Sequence, residues 1–161
     1  MDRLWSPWRM EYIRAAEEGV EEGCIFCELP ARGDDAVAHI LARGESGFVV
    51  LNKFPYNPGH LMVAPLRHTG DPEALSDDET LDLGRLLRRA IAALREEMAP
   101  QGFNVGMNLG RVAGAGIPDH LHWHVVPRWM GDTNFMPAIG QTRVLPELLE
   151  ETYRKLAPRF S

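Results

Sequence analysis

A chain of 161 residues, 45% hydrophobic and 25% charged, has the balance of one globular domain that buries a core without disulfide help. Its formal charge of −6 excludes the basic face that duplex nucleic acid needs, yet allows a small phosphorylated ligand held by a few oriented donors. No apolar run approaches the roughly 18 residues of a membrane helix, and the N-terminal Met1-Asp2-Arg3-Leu4-Trp5 start has no apolar leader core, so the expected compartment is the cytoplasm.

Residues 1–30 read as an N-terminal arm and residues 31–161 as the domain body. In the arm, residues 10–18 suit a short helix ended by Gly19, and Cys24-Ile25-Phe26-Cys27 makes a knuckle closed by Pro30. Two cysteines at this spacing suggest metal or redox chemistry before a structural disulfide, and no βαβ unit surrounds them to support a thioredoxin-like role. Residues 37–42 are a candidate strand. Phe48-Val49-Val50-Leu51 is a second, residues 54–59 hold two prolines and must turn, and residues 60–64 are a third strand stopped by Pro65. Ser76-Asp77-Asp78-Glu79 fits a capping box. Behind it Leu83, Leu87, Ala90, Ile91, Leu94 and Met98 recur at helical spacing, with Leu86 off the stripe, until Pro100-Gln101-Gly102 ends the helix. Residues 103–109 read as a strand, 110–116 as a glycine-rich loop, 120–126 as a strand ended by Pro127, and 147–156 as a C-terminal helix. This order predicts an α+β fold: a mostly antiparallel sheet, one long helix and a C-terminal helix.

The chemistry concentrates in Asp119-His120-Leu121-His122-Trp123-His124-Val125-Val126-Pro127. On a strand, alternate side chains share a face, so His120, His122 and His124 point one way while Leu121, Trp123 and Val125 point toward a core. One metal ion cannot bind all three on a straight strand, because the outer pair lies about 13 Å apart. Nucleophilic catalysis gives every position work. A neutral imidazole attacks phosphorus, and its neighbours donate hydrogen bonds to the phosphoryl oxygens. The preceding loop, from Asn108 through Gly110, Gly114 and Gly116, has few side chains to block backbone N–H groups and can cradle phosphate.

Among the other residues, His60 suits a turn-closing hydrogen bond or a place near a base pocket, and His39 suits a surface or edge. Trp5 and Trp8 suit a core or a subunit interface, and Trp123 a core. Arg85, Arg88, Arg89 and Arg95 suit a solvated helix face.

At the histidines the chain resembles the histidine-triad (HIT) superfamily, whose signature His-φ-His-φ-His-φ-φ, with φ apolar, is matched from His120 to Val126. The resemblance extends to residues 51–65, with their Pro-Gly-His turn, and to Cys24-Ile25-Phe26-Cys27. It looks closest to the bacterial diadenosine-tetraphosphate (Ap4A) phosphorylase-like branch, through Leu4-Trp5-Ser6-Pro7-Trp8-Arg9, the run from His124 to Trp129, and Gly131-Asp132-Thr133-Asn134-Phe135.

This resemblance implies a HIT-like fold and a nucleotide-binding hydrolase or transferase, commonly a homodimer or higher homo-oligomer. Adenine nucleotides are the implied ligands, and no organic cofactor is called for. It implies that His122 attacks the α-phosphorus of a dinucleoside polyphosphate or nucleoside phosphoramidate, with His124 and His120 assisting. It implies that Asn52 meets the ribose, that Asn108 and the backbone of Ala115 and Gly116 hold phosphate, and that Trp129 lies near the substrate. Zinc-binding bacterial members place two cysteines with a histidine after the second hairpin strand and with the first triad histidine; Cys24, Cys27, His68 and His120 match those places, implying a structural zinc ion. One departure is Gly116-Ile117-Pro118, where many members carry Gly-Gln-Ser or Gly-Gln-Thr; another is Ala115-Gly116, where the phosphorylase branch often has Gly-Ser. They leave the acceptor open between water, phosphate and a second nucleotide. Two alternatives also stand at this point: a nucleotide-binding regulatory protein with little turnover, and a metal-dependent hydrolase.

Overall fold

A computed structural model describes residues 23–132 and 147–160. The expected helix at residues 10–18, together with Trp5 and Trp8, lies outside them. Two short helices come first, α1 (Ile25–Ala31) and α2 (Asp35–Ala38), followed by strands β1 (Ile40–Arg43), β2 (Gly47–Leu51) and β3 (Leu61–Pro65). The long helix α3 (Asp77–Met98) leads to β4 (Gly102–Gly106) and β5 (Trp123–Arg128), and α4 (Leu149–Leu156) with a 3-10 turn (Ala157–Phe160) closes the described chain. The five strands form one sheet in the order β1-β2-β3-β5-β4, with every neighbouring pair antiparallel. No helix among the described residues is long and apolar enough to cross a membrane.

The expected hairpin forms: β2 and β3 pair along their whole length, from Gly47 opposite Pro65 to Leu51 opposite Leu61. Alternation then sorts their side chains onto two faces. Val49, Leu51, Leu61 and Val63 join Val125 under α3, whereas Phe48, Val50 and Ala64 join Phe26 of α1 in a second cluster on the opposite face. α3 begins with the capping box: Glu79 N–H donates to Ser76 Oγ and Ser76 N–H to Glu79 Oε2. It buries Leu83, Leu86, Ala90, Ala93 and Leu94, each large side chain contributing about 1.5–3 kcal/mol.

Several boundaries differ from expectation. Val37 and Ala38 are helical, because Asp34 caps α2 by accepting Val37 N–H; His39 then turns left-handed, and its ring meets Tyr153 edge-on. Pro30 lies inside the last turn of α1 and does not close a loop. Leu86 is buried, while Leu87 and Ile91 are only partly so, since α3 turns a broader face to the sheet than one stripe. The histidine strand begins at Trp123 and runs through Pro127. Proline is tolerated there because β3 begins only opposite Val125, which leaves β5 one neighbour at Pro127. Trp123 packs on the core as expected.

Gly59, in the turn before β3, has φ +77°, and a Cβ there would lie 2.7 Å from Met98 Sδ and 3.0 Å from Leu94 Cδ2. Gly84 on α3 has nothing within 4 Å of an added Cβ. Gly59→Ala is therefore expected to destabilise by about 1–3 kcal/mol, and Gly84→Ala to stabilise by about 0.5–1 kcal/mol. Urea unfolding of both variants checks the opposite signs.

Candidate active site

The three triad histidines come together along one edge of the Phe26-bearing face, although only His124 lies within regular strand. His124 pairs with Met62 across β3 and β5. His122 and His124 meet edge-on with ring centroids 5.0 Å apart, and Phe26 of α1 lies 4.8 Å from the His122 ring and 5.3 Å from that of His120. His120 and His122 are buried, with 1% and 7% exposure, and His124 is half-buried.

Backbone groups decide which nitrogen of each ring carries its proton. His122 Nδ1–H donates to the His120 carbonyl at 2.9 Å, so the lone pair of the neutral ring is on Nε2. His120 Nε2–H donates to the Pro65 carbonyl at 2.8 Å, which puts its lone pair on Nδ1. Burial pushes His120 below the usual imidazole range, with the charges of His68 and His122 acting the same way, and it is neutral near pH 7. The third ring is set through His60. Tyr56 N–H donates to His60 Nδ1 at 3.1 Å, so His60 carries its proton on Nε2 and donates it to His124 Nδ1 at 2.9 Å. Neutral His124 therefore holds its own proton on Nε2. His60 is fully buried, and Tyr56 stacks on it at 5.0 Å. The row thus presents a lone pair at His122 Nε2 beside a hydrogen-bond donor at His124 Nε2.

His60 goes beyond the turn-closing role that its sequence context suggests. Its ring works through His124, 64 positions along the chain. Phe26 and Tyr56 carried no sequence signal of their own; each stands out only once its ring is seen against a histidine.

The lone pair of His120 Nδ1 faces the knuckle. It lies 3.2 Å from Cys24 Sγ, 3.6 Å from Cys27 Sγ and 3.3 Å from His68 Nδ1, and Cys27 Sγ lies 3.4 Å from His68 Nδ1. All four ligand atoms lie within 4.8 Å of one another, and both cysteines are free thiols. A tetrahedral zinc set requires about 3.3 Å between nitrogens and about 3.6 Å between nitrogen and sulfur, so the donor set suits such an ion. Burial, with Cys24 alongside, pushes the Cys27 thiol up, and a bound cation would reverse that. The four residues can hold a metal ion, and His122 is not among them.

The remaining expected site residues are spread more widely. Asn52 accepts Phe54 N–H on Oδ1 at 2.9 Å and turns Nδ2 toward the His60 ring at 3.4 Å. Asn108 Nδ2 donates to the Gly114 carbonyl at 3.3 Å, and Ala115 N–H to Gly110 O at 3.3 Å, across a loop wound around a single 3-10 turn. Gly116 follows at the mouth of the histidine segment. Trp129 stands apart: its indole N–H donates to Met98 O at the end of α3, roughly 20 Å from His122 along the extended chain.

Comparison with known proteins agrees with this geometry. Residues 35–130 match the model of the HIT domain. The whole chain is 42% identical to the AP-4-A phosphorylase of Mycobacterium tuberculosis, covering 85% of that protein. It is 31% identical to the adenosine 5'-monophosphoramidase of Schizosaccharomyces pombe over 65% of the chain and 74% of the relative. A Zn-bound histidine triad family protein from Mycobacterium smegmatis superposes with a TM-score of 0.68 at 28% identity, over 86% of this chain and 93% of that one.

The cluster is expected to take up one metal ion per chain. Cys24→Ser and His68→Ala should each lower metal content and the thermal unfolding midpoint, read by atomic emission and circular dichroism. Wild-type metal content in a Cys24→Ser/Cys27→Ser protein would rule the cluster out.

Proposed function

Because the chain belongs to the histidine triad (HIT) family, we propose that it hydrolyses or transfers nucleotides at the α-phosphorus of dinucleoside polyphosphates or nucleoside phosphoramidates, through a nucleotidyl-His122 intermediate. The observation that carries this reading is the tautomer pattern: a lone pair on His122 Nε2 next to a proton on His124 Nε2. His122 Nε2 forms a bond to the α-phosphorus while the bond from phosphorus to the leaving polyphosphate oxygen, or phosphoramidate nitrogen, breaks. His124 Nε2–H donates a hydrogen bond to the leaving oxygen or nitrogen, which departs as the polyphosphate anion or, already protonated by solvent, as the amine. An acceptor then attacks phosphorus, the N–P bond breaks with its electron pair returning to His122 Nε2, and any proton the acceptor loses goes to solvent. As charge develops on His122, the His120 carbonyl stabilises it by accepting Nδ1–H.

We propose the substrate contacts as well. Asn108 and the backbone at Ala115 and Gly116 hold phosphate, with the Ala115 amide already donating inward, so Gly116 N–H and the Asn108 side chain carry more of this duty. Asn52, at the start of the turn that leads to His60, meets the ribose. Trp129 serves only a distal part of a long substrate. Adenine is the base we favour, since the named relatives are an AP-4-A phosphorylase and an adenosine phosphoramidase.

The ion we propose for the cluster is zinc, held by Cys24, Cys27, His68 and His120. Four protein ligands complete a tetrahedron and leave no open position, which favours a structural role over metal-dependent hydrolysis. Two thiols kept reduced to bind it suit the cytoplasm.

Assembly is also proposed. Among the described residues β4 pairs only with β5, and Asn104, Val105 and Gly106 lie exposed along its outer side. An unpaired, partly apolar edge of this kind suits a second copy of the chain, related by a two-fold axis.

Two tests address this reading. With diadenosine tetraphosphate, ADP plus ATP formed only when phosphate is present identifies a phosphorylase; AMP plus ATP in either condition identifies a hydrolase. A label from the α-phosphate should be trapped on wild-type protein, and His122→Ala should lose turnover by at least about 1,000-fold. Full turnover by that variant would refute the mechanism, and a regulatory binder would show binding with neither product. For assembly, Val105→Lys is expected to convert a dimer into monomer in sedimentation equilibrium, and an unchanged mass would place the interface elsewhere.

A further inference from the structure

The turn that carries His60 is fastened at a second place, away from the imidazoles. Asn57 is 5% exposed. Its Nδ2 donates to the Pro127 carbonyl at 2.9 Å and to Asp132 Oδ2 at 2.8 Å. The Asp132 carboxylate also accepts Arg128 Nε–H at 2.5 Å, Arg128 Nη2–H at 2.8 Å and Trp129 N–H at 3.2 Å. Arg128 in turn reaches Asn104 Oδ1 on β4 at 2.7 Å. Only 10% of the Asp132 side chain is exposed, so these charge-assisted bonds are shielded from water.

Asn57 sits in a telling place. Tyr56, just before it, supplies the N–H that fixes the tautomer of His60. His60, just after the Pro58-Gly59 corner, returns its own N–H to the Asn57 carbonyl at 3.1 Å. The side chain of Asn57 then ties this turn to β5, the strand that carries His124. A 2.9 Å bond between rings on separate segments survives only if both segments are held to within tenths of an ångström. Strand pairing of Met62 with His124 supplies one fixed point, and Asn57 on Pro127 supplies another.

We propose that Asn57 and Asp132 are positioning residues: they clamp the turn to the exit of β5, so that Tyr56 N–H stays on His60 Nδ1 and the proton of His124 stays on Nε2. The effect on turnover rests on the reading above that His124 Nε2–H stabilises the leaving group. The effect on the tautomer does not.

The test is nitrogen-15 NMR of histidine-labelled full-length protein without substrate, alongside steady-state kinetics with diadenosine tetraphosphate. Wild type should show single Nε2–H tautomers for His60 and His124. In Asn57→Ala and in Asp132→Ala the ring shifts should move toward the average of the two tautomers. Their kcat should fall about 10–100-fold with KM changed less than about 3-fold, part of what one preorganised hydrogen-bond donor contributes at the transition state. The double variant should be no slower than the worse single one, because both act through one contact. Asp132→Asn keeps an oxygen for Asn57 Nδ2 and should recover the ring shifts and most of the lost kcat. If Asn57→Ala does not fold, Asp132→Ala at the loop supplies the same reading. Wild-type ring shifts in a folded Asn57→Ala or Asp132→Ala protein would overturn the clamp. Fixed wild-type tautomers that are lost in the variants, with no turnover by any of the proteins, would support the clamp and reject the catalytic reading instead.

Discussion

Five residues of β3 hold both ends of the histidine row. His60 stands immediately before Leu61 and bonds the ring of His124; Pro65, the last residue of the strand, offers its carbonyl to the ring of His120. Between them, Leu61, Met62 and Val63 pair with Val125, His124 and Trp123. The outer triad rings are therefore set against one short element whose own position is fixed by five pairs with β2. Slipping this register by one residue would turn Met62 and Ala64 into the helix-side core and carry His60 away from His124.

His120 shows how the site and the knuckle share one residue without competing for it. Its Nε2–H serves Pro65, its Nδ1 faces the two sulfurs and His68, and its carbonyl receives the proton of His122. Each polar atom has one job. A cation held by the cluster would withdraw charge from the His120 ring, but the link to His122 runs through the main-chain carbonyl, so His122 would gain orientation from the knuckle without losing basicity to it. Phe26 completes the coupling: it lies between Cys24 and Cys27 in sequence and against His120 and His122 in space.

Patterns that span a few residues were legible in advance. Period-two alternation identified the histidine face, and Ser76 with Glu79 identified the start of α3 to the residue. The HIT resemblance supplied the family, the fold and the four residues of the metal cluster. What escaped depends on distances that sequence spacing does not encode. The helical turn at Val37 and Ala38 follows from the Asp34 side chain, which outweighs the strand preference of a β-branched residue. Pro127 stops a strand only where there is a second neighbour to lose, and β3 starts only opposite Val125, so it does not reach Pro127. Asn57 and Asp132 look like ordinary turn residues, since their bonds reach 70 and 75 positions along the chain from Asn57. Which nitrogen of His120 and of His124 bears a proton is set by such long-range partners, Pro65 and His60, whereas His122 is set by the carbonyl two residues before it.

The departure at Ile117-Pro118 acquires a physical meaning in the fold. Ile117 packs on the second core beside Phe26, at the corner where many family members carry a polar side chain. The segment is strapped from the other side as well. Leu121 N–H donates to Thr69 O at 2.7 Å, and a Cβ on Gly70 would lie 2.4 Å from Pro118 O. Such close approach of two backbones leaves no room for an added side chain at Gly70 and limits movement at Pro118. This corner therefore stiffens the histidine row and contributes no side-chain donor to the acceptor. Recognition of an attacking phosphate would then fall to main-chain N–H groups of the glycine loop, where Gly110 and Gly114 take positive φ. Water needs no such cradle, so on the proposed mechanism the choice between hydrolysis and phosphorolysis would rest on how well that loop holds a second anion beside His122.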